Sequence, residues 1–335
     1  VTLPEDPVTI IWDTMLKQLP NNHPEKELQR FYNLLRDYPL RQGKGLRGKL
    51  VLLSTAAHGG SWREGVRAAA ALELFQNWVL IHDDIEDGSE RRRGSPTLHK
   101  KAGIPLAINA GDALHVYMWQ LLLSNKGEPC SRKSAVLEEF LYMIHRTAEG
   151  QHLDLSWVEQ ERFDIGEEDY LQMVTLKTSW YTIISPLRLG AFCAGTAASD
   201  VFVAAGEELG AAFQIRDDVL NLQKTPTYGK EFAGDLYEGK RTLILAHFFA
   251  HAREKEASEV RRFLLLPRHE KSEAGIRMIL AYLEAHGSIR YAQGVAERKL
   301  TSGLEQLATT LGSLTNQAAA GELARLLESL VHRQE

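Results

Sequence analysis

Apolar residues recur along this chain with the spacing of helices, and no stretch sustains the alternation of a strand. Residues 8–19 and 25–38 read as amphipathic helices, separated by the breaker cluster Pro20-Asn21-Asn22-His23-Pro24. Residues 42–48 form a glycine-marked loop that enters a helix ending near His58. A long helix over 63–87 stops at Gly88, and residues 88–104 read as a loop. Helices over 105–124 and 132–158 follow, then one over 166–196 bent at Pro186 and near Lys177-Thr178. After a helix over 200–222 comes a loop over 225–239. Further on, Ile276, Ile279, Leu280 and Leu283 recur at i, i+3, i+4 and i+7, and Gly287-Ser288 marks a stop and restart. No repeat, low-complexity tract or long linker divides the pattern, so the expectation is an all-α fold built as a single large helical domain over residues 1–335.

Composition narrows the picture further. Charged residues are 25% of the 335 and the formal net charge is −5, which leaves no basic surplus for nucleic acid. The two cysteines, Cys130 and Cys193, are far apart and lack metal-ligand spacing, which points to a reducing compartment. No segment reaches the roughly 18 uncharged apolar residues of a membrane span, and the first residues lack the pattern of a signal peptide. The expectation is therefore a cytoplasmic protein.

The chemistry concentrates at two acidic motifs. Asp83, Asp84 and Asp87 fall at i, i+1 and i+4 at the end of an apolar stretch, which stacks the carboxylates of Asp83 and Asp87 on one helix face. Like charges one turn apart repel, and burial enlarges that cost unless a cation lies between them. Hard oxygen donors with room for water suit Mg²⁺. A second apolar stretch ends in Asp217-Asp218, with Asn221 three residues on. Lys44, Arg47, Arg91, Arg92, Arg93, Lys177, Lys230 and Lys240 lie in or beside these or similar glycine-marked segments. Many carboxylates together with many fixed cations fit a phosphate or diphosphate bridged by Mg²⁺. Gln151 and Asp154 read equally as structural hydrogen-bond partners or as parts of the site, and His82 and His99 merely sit near it.

These motifs resemble those of the trans-isoprenyl diphosphate synthases, the polyprenyl synthetases. Gly43-Lys44-x-x-Arg47 is similar to the family's isopentenyl diphosphate loop, and Asp83-Asp84-x-x-Asp87 to its first aspartate-rich motif, with Arg92-Arg93-Gly94 following. Gly150-Gln151-x-x-Asp154, Lys177-Thr178, Phe213-Gln214-x-x-Asp217-Asp218, and Gly229-Lys230 to Gly239-Lys240-Arg241-Thr242 complete the set. Residues 213–222 resemble the short-chain geranylgeranyl diphosphate synthases in particular. The resemblance implies a helical bundle of the isoprenoid synthase type with a central active-site cavity, and a homodimer. It implies that Asp83, Asp87 and Asp217 bind Mg²⁺, three ions with diphosphate bound, supported by Asp84 and Asp218. Arg92, Lys177, Lys230 and Lys240 would hold the allylic diphosphate, and Lys44, Arg47, Gln76 and Arg93 would hold isopentenyl diphosphate. Gln76 precedes Asp83 by two helical turns and so shares its face. Thr178 and Gln214 would stabilise the developing carbocation. Two positions depart from the family pattern: Asn221 replaces a third aspartate, and Gly45 stands where many members have arginine.

In that family, side chains four, five and eight positions before the first aspartate form the floor under the growing chain; here they are Val79, Trp78 and Phe75. One helical turn of about 5.4 Å is close to one isoprene unit, and Trp78 beside the smaller Val79 points to an intermediate floor and a twenty-carbon product. A fifteen-carbon product is the alternative, and an ordinary core role for Phe75 and Trp78 stays open. A class I terpene cyclase would not need the isopentenyl diphosphate residues, and a non-catalytic partner subunit would be expected to lack the metal-binding aspartates.

Overall fold

In a computed structural model the chain is described over residues 6–124, 130–223 and 231–329, and these are almost entirely helical. The first helices are α1 (Pro7–Gln18), α2 (Lys26–Leu40), α3 (Leu46–Ala57) and α4 (Trp62–Glu86). Asp6 caps α1 through the Thr9 amide, and Glu64 accepts the Ser61 amide at the start of α4. Both α3 and α4 are apolar on most sides. Ala68 to Leu72, an unbroken run on α4, is wholly buried, and so is nearly all of α3. Such helices belong in the centre of a bundle: α4 packs on α1, α3 and α6 (Ile104–Leu123).

Between α4 and α6 the expected loop contains a hairpin and a short helix, α5 (Leu98–Ala102). Strands β1 (Arg91–Arg92) and β2 (Ser95–Pro96) pair antiparallel, with Arg93 at φ 52° and Gly94 at φ 74° in the turn. Two consecutive positive φ values match the right-handed twist of a two-residue hairpin, and a strand pair this short leaves no alternation to detect.

Helix α7 (Cys130–Glu159) is followed by α8 (Glu167–Val174), a π-helical stretch (Thr175–Ile184) and α9 (Ser185–Cys193). The distortion expected near Lys177 is thus a change of helix type, while Pro186 sits in the first turn of α9, where its missing N–H costs nothing. Next come α10 (Val201–Asn221), α11 (Gly234–Glu238) inside the second expected loop, α12 (Leu243–His251), α13 (Glu254–Leu264), α14 (Glu273–Ala285), α15 (Ser288–Gly312) and α16 (Gln317–Ser329).

Three apolar clusters hold these elements. One joins α1, α4 and α6 through Trp12, Leu72, Phe75 and Leu114; another joins α10, α12 and α14 through Ile215, Val219, Phe248 and Ile279. A third joins α3, α9, α10 and α15 through Leu50, Leu187, Leu209 and Leu307. Each fully buried side chain of this size contributes about 1.5–3 kcal/mol, so the clusters fix α4 and α10 firmly enough for their C-terminal turns to present charge. No helix among the described residues is long and apolar enough to cross a membrane.

Candidate active site

Both acidic motifs lie in the last turns of their helices, α4 and α10, where the macrodipole is also negative. Placing aspartates there is unfavourable without cations nearby. The structure supplies them from three other elements around a cavity of about 620 Å³ lined by Asp83, Asp217, Asp218, Lys177, Lys240 and Arg92. Lys177, on the π-helical stretch, donates to Asp154 of α7 at 2.6 Å and to Asp83 at 3.5 Å. That approach depends on Gly150, where a Cβ would lie 2.1 Å from the Lys177 amide nitrogen. Lys240, just after α11, pairs with Asp87 at 2.6 Å and Glu238 at 3.5 Å. Burial disfavours the Lys177 ammonium, but Asp154, with Asp83 and Asp87, outweighs it and holds its pKa above the usual lysine value. Burial pushes the Asp87 carboxyl up to about 7 against Lys240, and Asp83 and Glu238 add to the rise.

Across the cavity, Gln214 joins two walls. It accepts from the Thr178 hydroxyl at 2.8 Å and donates to Asp218 at 2.8 Å, while Tyr170 donates to the other Asp218 oxygen at 2.7 Å. Burial pushes Asp218 up to about 6 despite those two hydrogen bonds.

A separate basic end is formed by Lys44, Arg47, Gln76 and Arg93, with the backbone of residues 42–46. Arg47 donates to Thr182 at 2.8 Å and lies over the Tyr181 ring; Arg93 donates to the Tyr38 carbonyl at 3.1 Å and to Asn77 at 3.3 Å. Behind them is Glu73, 1% exposed, which accepts from the Gly48 amide at 3.1 Å. Gln76, with its amide nitrogen toward Glu73, donates to that carboxylate at 3.0 Å and accepts from Arg47 at 2.9 Å. From these polar ends the cavity runs down to an apolar wall of Phe75, Trp78, Val79, Ile144, Tyr181 and Phe213. Among the described residues, no three His, Cys, Asp or Glu side chains are gathered closely enough to hold a metal ion unaided.

Residues 28–283 match the family model of the polyprenyl synthetases. The chain belongs to that family. It is 35% identical over 269 residues to the geranylgeranyl diphosphate synthase of Sulfolobus acidocaldarius, covering 79% of this chain and 80% of the relative. Among solved structures it is similar to the geranylgeranyl pyrophosphate synthetase of Pyrococcus horikoshii, with TM-score 0.83, 31% identity and coverage of 97% and 96% of the two chains. It is also similar to the geranylgeranyl pyrophosphate synthase of Corynebacterium glutamicum, solved with isoprenyl diphosphate and magnesium, with TM-score 0.87, 26% identity and coverage of 99% and 100%.

In this polyprenyl synthetase the positions singled out from the sequence do not all face the cavity. Asp84, expected to support the metal-binding aspartates, is not among the residues that line the main cavity. It is fully buried and bound by Arg92, at 2.9 Å from Nε and 2.5 Å from Nη2, and by the Tyr38 hydroxyl, so it anchors Arg92 and does not face the main cavity. Asp87 lines a smaller cavity of about 410 Å³, which shares Glu86, Asp154 and Lys240 with the main one. Asn221 is buried and accepts the Asp235 amide at 3.2 Å, while its carbonyl accepts the Ala233 amide at 2.8 Å; it ties residues 233–235 to α10. Gly45 has φ 58° at the start of α3, a conformation in which an arginine would be strained. Lys230 lies outside the described residues. Asp154 is the partner of Lys177, and Gln151 donates to Glu86 at 2.6 Å and Asp83 at 3.3 Å; both residues also line the main cavity, so they are hydrogen-bond partners and part of the lining at once.

Sequence reasoning missed Glu73, Tyr38, Tyr170 and Lys271. Glu73 had a signal, a lone carboxylate in an apolar helical run. Lys271 had none. It reaches back to donate to the carbonyls of Leu236 and Tyr237 at 3.1 and 2.8 Å, holding α11 and thereby Lys240. Burial, then Arg268 and Arg241, lower its pKa from 10.5 to about 8. Between those two values the unfolded chain binds the proton and the folded chain releases it, so the Lys271 contribution to stability grows as pH rises. The thermal midpoint of the parent should therefore gain on that of Lys271→Met between pH 8 and 10.5. A pH-independent difference would show that the amine stays charged in the fold.

Proposed function

We propose that the protein is a trans-prenyltransferase that joins isopentenyl diphosphate head-to-tail to an allylic diphosphate, with geranylgeranyl diphosphate as main product. The observation that carries this reading is one cavity lined by two sets of cations, Arg92, Lys177 and Lys240 at one end and Lys44, Arg47 and Arg93 at the other, together with the apolar Phe75, Trp78 and Val79. A terpene cyclase needs one such end only, and the intact Asp83, Asp87 and Asp217 oppose a non-catalytic partner subunit.

Arg92, Lys177 and Lys240 hold the allylic diphosphate, and Lys230 assists. The charges of Arg92, Lys177 and Lys240 are fixed by carboxylate partners before the substrate arrives, so they stabilise the negative charge that grows on diphosphate as the carbon–oxygen bond breaks, with little reorganisation. The carboxylates fit Mg²⁺: they are hard oxygen donors spread over two walls, too few on either alone, as suits an ion that completes its shell with water and phosphate oxygens. Asp83, Asp87 and Asp217 would hold it, three ions with diphosphate bound, and it would supply further positive charge to the leaving group. Thr178 and Gln214 turn oxygen lone pairs toward the allylic cation. Lys44, Arg47, Gln76 and Arg93 orient isopentenyl diphosphate so that its double bond attacks that cation, after which the released diphosphate takes the proton. Phe75, Trp78 and Val79 receive the growing chain and keep water from the cation.

We infer in addition a homodimer and a cytoplasmic setting. Helix α6 exposes Ile104, Leu106, Ile108, Val116 and Leu123, and α7 exposes Leu141 and Tyr142, an apolar surface that a second copy would cover. Cys193 is a buried thiol, in keeping with a reducing compartment.

The test is incubation with Mg²⁺, isopentenyl diphosphate and allylic primers of five, ten or fifteen carbons, followed by mass spectrometry of the dephosphorylated products. A linear twenty-carbon alcohol is expected. A fifteen-carbon end product would make the enzyme a farnesyl diphosphate synthase, and diphosphate release from an allylic substrate alone, without condensation, would make it a cyclase.

A further inference from the structure

We propose that Tyr38, in the last turn of α2 and outside the cavity, is a positioning residue for both cationic ends: its hydroxyl fixes Arg92 through Asp84, and its carbonyl fixes Arg93 directly. The inference rests on the reading of Arg92 as an allylic diphosphate residue and of Arg93 as an isopentenyl diphosphate residue. The two arginines are neighbours in the hairpin, where β1 ends at Arg92 and Arg93 begins the turn at φ 52°. An arginine side chain gives up much rotamer freedom when it is held, so each guanidinium needs a fixed partner of its own.

Tyr38 is completely buried, and its hydroxyl is used in both directions. The Leu98 amide, at 3.3 Å, can only donate, so the phenol oxygen accepts there and its single proton goes to Asp84 Oδ2. The other carboxylate oxygen, Oδ1, takes Arg92 Nε at 2.9 Å and Nη2 at 2.5 Å. Asp84 is thus held from one side and holds Arg92 from the other. Arg92 Nη2 also reaches Asp83 at 3.3 Å, and Nη1 is left without a protein partner among the described residues, on a side chain that lines the cavity. The Tyr38 carbonyl accepts from Arg93 Nη1 at 3.1 Å. It can do so because the last turn of a helix has no amide four residues on to claim it, only the Arg41 amide at 3.2 Å. Arg41 then clamps this turn to the hairpin: its guanidinium lies 4.4 Å over the Tyr38 ring and donates to the carbonyls of Arg92 at 2.9 Å and Pro96 at 2.8 Å. Removing the hydroxyl alone leaves Asp84 Oδ2 buried without a donor, so the carboxylate turns and carries Arg92 with it, while the carbonyl and Arg93 stay in place.

The experiment compares steady-state kinetics of the full-length parent, Tyr38→Phe, Asp84→Ala, Tyr38→Phe/Asp84→Ala and Arg92→Gln with Mg²⁺, each substrate being varied at saturating levels of the other. Tyr38→Phe should lower kcat/KM for the allylic primer by about 10- to 100-fold, the size expected for a buried hydrogen bond to a charged group. KM for isopentenyl diphosphate should stay near the parent value. In the Asp84→Ala background the same substitution should add nothing, because the hydroxyl acts through that carboxylate. The double variant has no stranded carboxylate, so it carries the comparison with Asp84→Ala if Tyr38→Phe alone fails to accumulate as folded protein. Equal losses for both substrates in Tyr38→Phe, or a further loss on top of Asp84→Ala, would show that Tyr38 only steadies the fold and would overturn the positioning role. A raised allylic KM in Arg92→Gln with parental kinetics in Tyr38→Phe would overturn it too and keep Arg92 in the allylic set. An unchanged allylic KM in Arg92→Gln would remove that reading of Arg92, and the role of Tyr38 with it.

Discussion

Replacing Lys177 with methionine should lower kcat by about 10²–10³, the effect of removing one preorganised charge from developing transition-state charge. Lys177 is held between Asp154 at 2.6 Å and Asp83 at 3.5 Å, and those carboxylates keep it protonated in spite of its burial. A charge fixed in this way costs nothing further when diphosphate begins to leave. The same substitution strands Asp154, 5% exposed, without its cation, and removing one partner of a buried pair costs about 3–5 kcal/mol of stability. The two effects separate in the double variant Lys177→Met/Asp154→Asn, which should recover most of the thermal stability and none of the rate. Near-parental turnover by Lys177→Met in a steady-state assay would remove Lys177 from the catalytic set.

Replacing Glu73 with glutamine should raise KM for isopentenyl diphosphate by about 10- to 100-fold, since stranding one buried donor costs about 1–3 kcal/mol. KM for the allylic primer should change little. Glu73 touches no cavity space, yet it accepts from Gly48 and Gln76, and Gln76 in turn accepts from Arg47. A glutamine side chain turns one N–H toward one of those donors, so either α3 or Gln76 must shift. Burial raises the Glu73 pKa, while Arg47, the Gly48 amide and Arg93 oppose that rise, so those two arginines feel its charge. Arg92, Lys177 and Lys240 pair instead with Asp84, Asp154 and Asp87. Equal KM increases for both substrates would mean that Glu73 steadies the bundle as a whole.

How far the sequence carried depends on how local each signal was. The long helices were legible because period-3.6 patterning and glycine or proline stops act within a few residues. The cavity lining was legible because its charges lie in motifs, and Lys44, Arg47, Gln76, Arg93, Lys177, Gln214 and Asp217 all line it. Orientation was not legible. Asp83 and Asp84 are neighbours about 100° apart on α4, so one faces the cavity and the other faces Tyr38 and Arg92, contacts that come from 46 residues before and 8 after. Lys271 was invisible for the same reason, since its carbonyl partners are 35 and 34 residues away and carry no side-chain signature. The hairpin at Arg91–Pro96 was missed because two residues per strand are too few for alternation to show.

The π-helical stretch over Thr175–Ile184 makes this region sensitive to chain length more than to residue type. A π turn holds more residues than an α turn, so Lys177, Thr178 and Tyr181 reach one cavity only while that surplus is kept. Deleting a single residue there would let the stretch relax toward the α form, which takes up the lost residue, so α8 and α9 would keep their packing while side chains within the stretch shift around the axis by up to about 100°. Substitutions along the stretch leave that register intact, whereas a one-codon deletion would carry the lysine away from Asp154 and Asp83 while every side chain of the motif was still encoded.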